Sequence, residues 1–172
     1  YTSISTASPA NGSQISNAIT ISGSFTIPSG KAIYHSSSAL TINNGGVLGG
    51  AGTIYHSATT TSNVTNNGTI SITLFWYMFT AGATVDYITP FTTTGNVKIG
   101  AASGGTADST AIIGTGTFNI TGYLDISGNL AVGYTTTLDN TTNNSNITAS
   151  LLVVGYGGIP TKYAAFKPGT GT

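Results

Sequence analysis

The chain contains no cysteine, no arginine and no glutamate. Without cysteine there is no disulfide framework and no thiolate zinc site. The formal charges are Lys31, Lys98, Lys162 and Lys167 against Asp86, Asp108, Asp125 and Asp139, for a net charge of zero. Four scattered lysines make no basic patch, so nucleic acid is not an expected partner. Coiled coils and helical bundles are disfavoured too, because their surfaces are built from Glu, Lys and Arg. No apolar run approaches the roughly 18 residues of a membrane helix, so no membrane span is expected.

Catalytic material is equally sparse. His35 and His56 are the only histidines, and no Gly-x-Ser-x-Gly segment accompanies them. The four aspartates form no pair in an aromatic setting of the kind glycoside hydrolysis uses. The two histidines share a local context, yet a zinc site needs three or four ligands. Asp125 with Asn129, and Asp139 with Asn140 and Asn143, are oxygen-rich, but Asp and Asn also cap turns. The expectation is a non-enzyme with no catalytic residue, no metal and no cofactor other than covalent N-glycans.

What the chain does have is β-branched residues: 32 Thr, 18 Ile and 7 Val, a third of its 172 positions. These favour strands over helices. Apolar and polar residues alternate from Ile19 onward, through Ile21, Phe25, Ile27 and Ile33. Turn signals at Ser22-Gly23, Pro28-Ser29-Gly30 and Asn43-Asn44-Gly45-Gly46 cut the pattern. Strands are predicted at 68–80, 83–89, 95–101, 110–120, 122–127, 129–135, 146–156 and 161–166. Such short strands at turn-punctuated intervals predict an all-β domain, a β-sandwich of jelly-roll type. In this reading residues 1–18 form an extended N-terminal arm and 19–172 the sandwich body.

A β-helix or solenoid is the alternative. Ile33-Tyr34-His35-Ser36 recurs as Ile54-Tyr55-His56-Ser57, each copy followed by an Asn-Asn-Gly turn, and hexads appear at 118–133. Repeats of this kind mark stacked rungs. The sequence repeat does not persist through 69–115, and this favours the sandwich.

Three features bear on function. Asn-x-Ser/Thr sequons occur at Asn11, Asn63, Asn67, Asn119, Asn140, Asn143 and Asn146, all candidate glycosylation sites. The run Leu74-Phe75-Trp76-Tyr77-Met78-Phe79 is apolar on both faces of any strand it forms, a hazard unless something covers it. The arm carries Tyr1 and Ile4 on a Ser/Thr background. Together these predict a sandwich short of one strand, completed by a neighbour's arm. The subunit interface would be Tyr1, Ile4, Leu74, Phe75, Trp76, Tyr77 and Phe79. Repeated head to tail, that contact builds an open filament of identical subunits.

On the start at Tyr1, the β-competent arm, the sequon load and the Thr/Ser/Asn/Gly-rich body, the chain resembles thread-type pilus subunits of archaeal extracellular filaments. The resemblance implies secretion after removal of a signal peptide, heavy N-glycosylation, assembly by donor-strand complementation into a helical homopolymer, and adhesion or biofilm formation. Host or neighbouring-cell surface glycans are the implied outside partners. The alternative function, matching the alternative fold, is a β-helical adhesin or polysaccharide-binding module of the cell surface.

Overall fold

In the computed structural model, residues 13–36, 39–57, 61–79, 85–101, 109–127, 136–155 and 164–170 are described. They form strands and turns, with no helix among them. The first coil holds β1 (Ser13–Ile15), β2 (Ile19–Ile21) and β3 (Ser24–Thr26), and β4 (Ala32–His35) opens the second. It is followed by β5 (Ala39–Ile42), β6 (Val47–His56), β7 (Thr61–Asn66) and β8 (Thr69–Phe79). Then come β9 (Val85–Ile88), β10 (Thr92–Thr93), β11 (Asn96–Ala101), β12 (Ser109–Ile113) and β13 (Thr117–Ser127). The chain closes with β14 (Thr136–Asp139), β15 (Asn146–Val154) and β16 (Ala165–Lys167).

Every ladder among the described residues is parallel, and each strand pairs with its counterpart one coil away. The result is a β-solenoid, and the expected sandwich is wrong. Sandwich strands meet their sequence neighbours in antiparallel hairpins. Here the return path between parallel strands is the coil itself. Alternation and turn spacing look the same in either fold. Only the pairing direction separates them, and the one sequence cue to it was the repeat of Ile-Tyr-His-Ser. The apparent loss of repeat over 69–115 reflects coils that lengthen. His35 and His56 stand 21 positions apart, Asp139 and Lys167 28 apart, although each pair occupies adjacent rungs.

The strands gather into a seven-stranded sheet (β16-β14-β12-β9-β7-β5-β2) and a nine-stranded one. In the larger sheet each long strand spans two walls. The first half of β6 pairs with β3 and its second half with β4. Likewise β13 takes β10 along its first half and β11 along its second. Register shifts between Gly50 and Thr53, and between Ile120 and Tyr123, mark the corner between these walls. Glycine is required there. A Cβ on Gly95 would collide with the Ile72 carbonyl oxygen, and one on Gly122 with that of Gly95.

Inward residues stack in files along the solenoid. One file runs Ile33, Ile54, Phe75, Val97, Leu124 and Leu152. The next runs Ile15, His35, His56, Tyr77, Ile99, Ile126 and Val154. All but the end members are buried. Each fully buried Ile, Leu or Phe contributes roughly 1.5–3 kcal/mol, so the files are the main source of cohesion between rungs.

The arm assignment needs revision at one point. Ser13–Ile15 pairs with Ile33–His35 of its own chain, so that part of 1–18 belongs to the body. Residues 1–12, with Tyr1, Ile4 and Asn11, lie outside the described residues.

Candidate functional site

The apolar run of β8 divides by parity. Phe75 and Tyr77 are buried in the core, while Leu74, Trp76 and Met78 are half-buried on the outer face. The side chain of Phe79 lies outside the described residues. Trp76 joins a file that crosses the rungs: Gln14, Tyr34, Tyr55, Trp76, Lys98, Asp125 and Val153. The Tyr34 and Tyr55 rings stack at 4.5 Å and 6°. Trp76 follows at 5.0 Å from Tyr55. The Lys98 ammonium sits 4.4 Å above the Trp76 ring centre and 3.7 Å from Asp125 Oδ2. Burial, and then the adjacent Tyr34 phenol, push the Tyr55 phenol up.

This file is an internal brace more than a binding platform. Tyr55 and Trp76 each have a file neighbour on either side, Tyr34 and Trp76 for the one, Tyr55 and Lys98 for the other. Stacked aromatics and a cation over indole stabilise the rungs they join.

Behind the file, the two histidines meet in the core. Their Nδ1 atoms are 2.8 Å apart, and His35 Nε2 lies 3.0 Å from the Asn17 carbonyl oxygen. Since a carbonyl only accepts, His35 carries its proton on Nε2 and its Nδ1 accepts from His56. The proton of His56 is then on Nδ1, and its buried Nε2 has no partner. Burial lowers the His56 pKa to about 3, with the neighbouring His35 adding to the effect. His35 is lowered as well, by burial opposed by the bond to Asn17. No group of three or more His or Asp side chains suited to a metal occurs among the described residues.

An outer wall without charge is formed by β10 and the first halves of β13 and β15. Thr92, Asn119 and Thr148 follow one another in register, as do Thr117 and Asn146. All five are exposed, as are Thr94, Thr121 and Ser150 beside them. The wall bears hydroxyls and amides and no charge. At its corner stands Tyr123, exposed at 37%, with its backbone nitrogen donating to Asn96 Oδ1. This Tyr123 wall is a candidate ligand surface, and sequence reasoning missed it. Its signal was the alternating polar set of 117–121 and 146–150, visible once those strands are placed side by side.

The sequons fall into distinct environments. Asn119 and Asn146 lie exposed on this wall, and Asn67 is exposed in the turn after β7. Asn63 lies on β7, its side chain outside the described residues. Asn140 is buried: its Nδ2 donates to the Ser145 carbonyl at 2.9 Å, and its Oδ1 accepts from Ser145 N at 3.0 Å. Asn143 Nδ2 donates to the Ile113 carbonyl at 2.7 Å.

No protein-family model, curated protein or solved structure matches the chain. Among the described residues no helix is long and apolar enough to cross a membrane, which says nothing of a β-barrel.

Proposed function

We propose that the chain is a β-helical adhesin or polysaccharide-binding module of the cell surface, and that the Tyr123 wall holds a neutral glycan. The observation that carries this reading is the registered row Thr92, Asn119 and Thr148, exposed and free of charge. A sugar chain exchanges its water hydrogen bonds for these hydroxyls and amides. Each exchange contributes only about 0.5–1.5 kcal/mol, so retention depends on many repeated contacts along an extended polymer. Tyr123 supplies one apolar ring face against the C–H side of a sugar. Absence of charge on the wall favours neutral over acidic polymers.

Affinity chromatography on columns of immobilised neutral polysaccharides tests the reading, using protein made without glycosylation. At least one polymer should retard the wild-type chain, and Tyr123→Ala with Thr148→Val should abolish the retardation. Free passage through every column, or full retardation of the double variant, would overturn it.

A second reading has its own observation. Asn119 and Asn146 lie exposed on neighbouring strands of the same wall. If the native, secreted protein carries N-glycans at both, they shield the wall and replace its missing surface charge. Intact mass of native material separates the two.

A further inference from the structure

We infer that the two ends of the solenoid bind each other, so that copies stack head to tail along a common axis. The first observation is at the β15 end. Leu151, Leu152, Val153 and Val154 are exposed at 58%, 43%, 37% and 46%, four consecutive aliphatic residues. Leu152 and Val154 occupy inward positions whose equivalents one rung back, Leu124 and Ile126, are buried. They are core-type residues above which, among the described residues, no further rung pairs. A cavity of about 250 Å³ opens beside them, lined in part by Ile147, Ala149 and Phe166.

The second observation is at the opposite end. There a groove of about 570 Å³ is lined by Ile15, Ile19, Ile21 and Phe25 together with Thr20 and Ser24. Its lining is apolar and hydroxylic and carries no charge.

The third observation selects the occupant. The strands at the two ends are the opposite edges of the same sheets: β1 and β15 in the nine-stranded sheet, β2 and β16 in the seven-stranded one. Ile15 and Val154 are the first and last members of one inward file, and Gln14 and Val153 of one outward file. Translating a copy along the axis therefore sets a parallel strand edge on a parallel strand edge, with inward aliphatics continuing inward. A second copy of this chain meets the hydrogen-bonding and the apolar requirement together. The contact joins unlike surfaces and does not close, so it propagates as a thread. It needs no donated strand and no incomplete sandwich. It is also independent of the sugar-binding wall, which lies on the side of the solenoid.

Mixing of end-blocked variants tests the inference. Wild-type chain should show a mass that rises with concentration by light scattering, and threads by negative stain. Leu152→Lys blocks one end and Ile19→Lys the other. Each alone should be monomeric, and an equimolar mixture should stop at a dimer, because each partner retains one open end. A second pair avoids disturbing the core. Gln14→Cys and Val153→Cys face outward, and stacking places them at the spacing of adjacent parallel strands, within reach of a disulfide. Under mild oxidation the mixture should give the mixed disulfide in at least tenfold excess over either homodimer. A wild-type chain that stays monomeric at every concentration overturns the inference. So does cross-linking without preference for the mixed pair.

Discussion

His35 and His56 face each other through their Nδ1 atoms at 2.8 Å, with the rings stacked at 4.9 Å in the core. This contact admits one proton between the two nitrogens. A second would place two cations in contact, away from water.

Acid should therefore destabilise the fold in a defined window. The folded pKa of His56, about 3, lies below its ordinary 6.5. Between those values the unfolded chain binds the proton and the folded chain does not. Stability is full above pH 6.5 and declines as pH falls toward 3, by at most about 1.4 kcal/mol per unit for this group. Urea unfolding at pH 7.5, 5.5 and 4.5 measures the decline. His56→Phe, which fits the neighbouring Phe75 and Tyr77 rings, should flatten it. An unchanged slope in that variant would remove the pair as its cause.

The corner glycines should be intolerant where the backbone packs closely. Gly95→Ala forces a Cβ onto the Ile72 carbonyl and should cost about 1–3 kcal/mol. Gly23→Ala meets nothing within 4 Å and serves as the control. Thermal unfolding of both variants checks this, and equal midpoints would contradict it.

The outer brace and the wall should separate experimentally. Trp76→Ala removes the stack on Tyr55 and the seat of Lys98. A loss of about 1–3 kcal/mol in stability is expected, with polysaccharide retardation unchanged. Loss of retardation in a folded Trp76→Ala chain would move the ligand to the aromatic file.

The loop 140–145 should depend on one side chain. Asn140 bonds Ser145 through both ends of its amide. Asn140→Ala leaves those buried groups unpaired, at about 1–3 kcal/mol. In native material, peptide mapping should find Asn140 unmodified even where Asn67 carries glycan. A glycan at Asn140 in folded protein would mean that this clamp opens.

The strands were legible in part: the predicted 110–120 and 122–127 divide at the wrong place, since the break lies between Ser109–Ile113 and Thr117–Ser127, and 129–135 lies outside the described residues. The predicted segments 68–80, 83–89, 95–101 and 146–156 correspond to Thr69–Phe79, Val85–Ile88, Asn96–Ala101 and Asn146–Val154. Alternation and Gly/Asn turns are local signals, and they act in the same way in any β fold. The pairing was not legible, because it links residues 20 or more positions apart through coils of unequal length. The repeat of Ile33-Tyr34-His35 as Ile54-Tyr55-His56 was the place where three successive rung neighbours kept the same side chains; elsewhere identities are isolated or come in pairs, as at Ile21 and Ile42, Ile99 and Ile126, or Leu124 and Leu152. At the repeat the stacked rings now lie. Beyond it the files change chemistry from rung to rung, Tyr77 to Ile99 and Trp76 to Lys98, so similarity of sequence fades while the geometry persists. The charge-free wall was hidden for the same reason: Thr92, Asn119 and Thr148 become neighbours only after coiling.

Because each coil rests only on the one before and the one after, the molecule has no single keystone. Shortening it from the β15 side should lower its melting temperature in steps, one interface at a time, instead of abolishing structure at a stroke. A protein assembled in this way can be lengthened or trimmed between generations with little disturbance to the coils that remain.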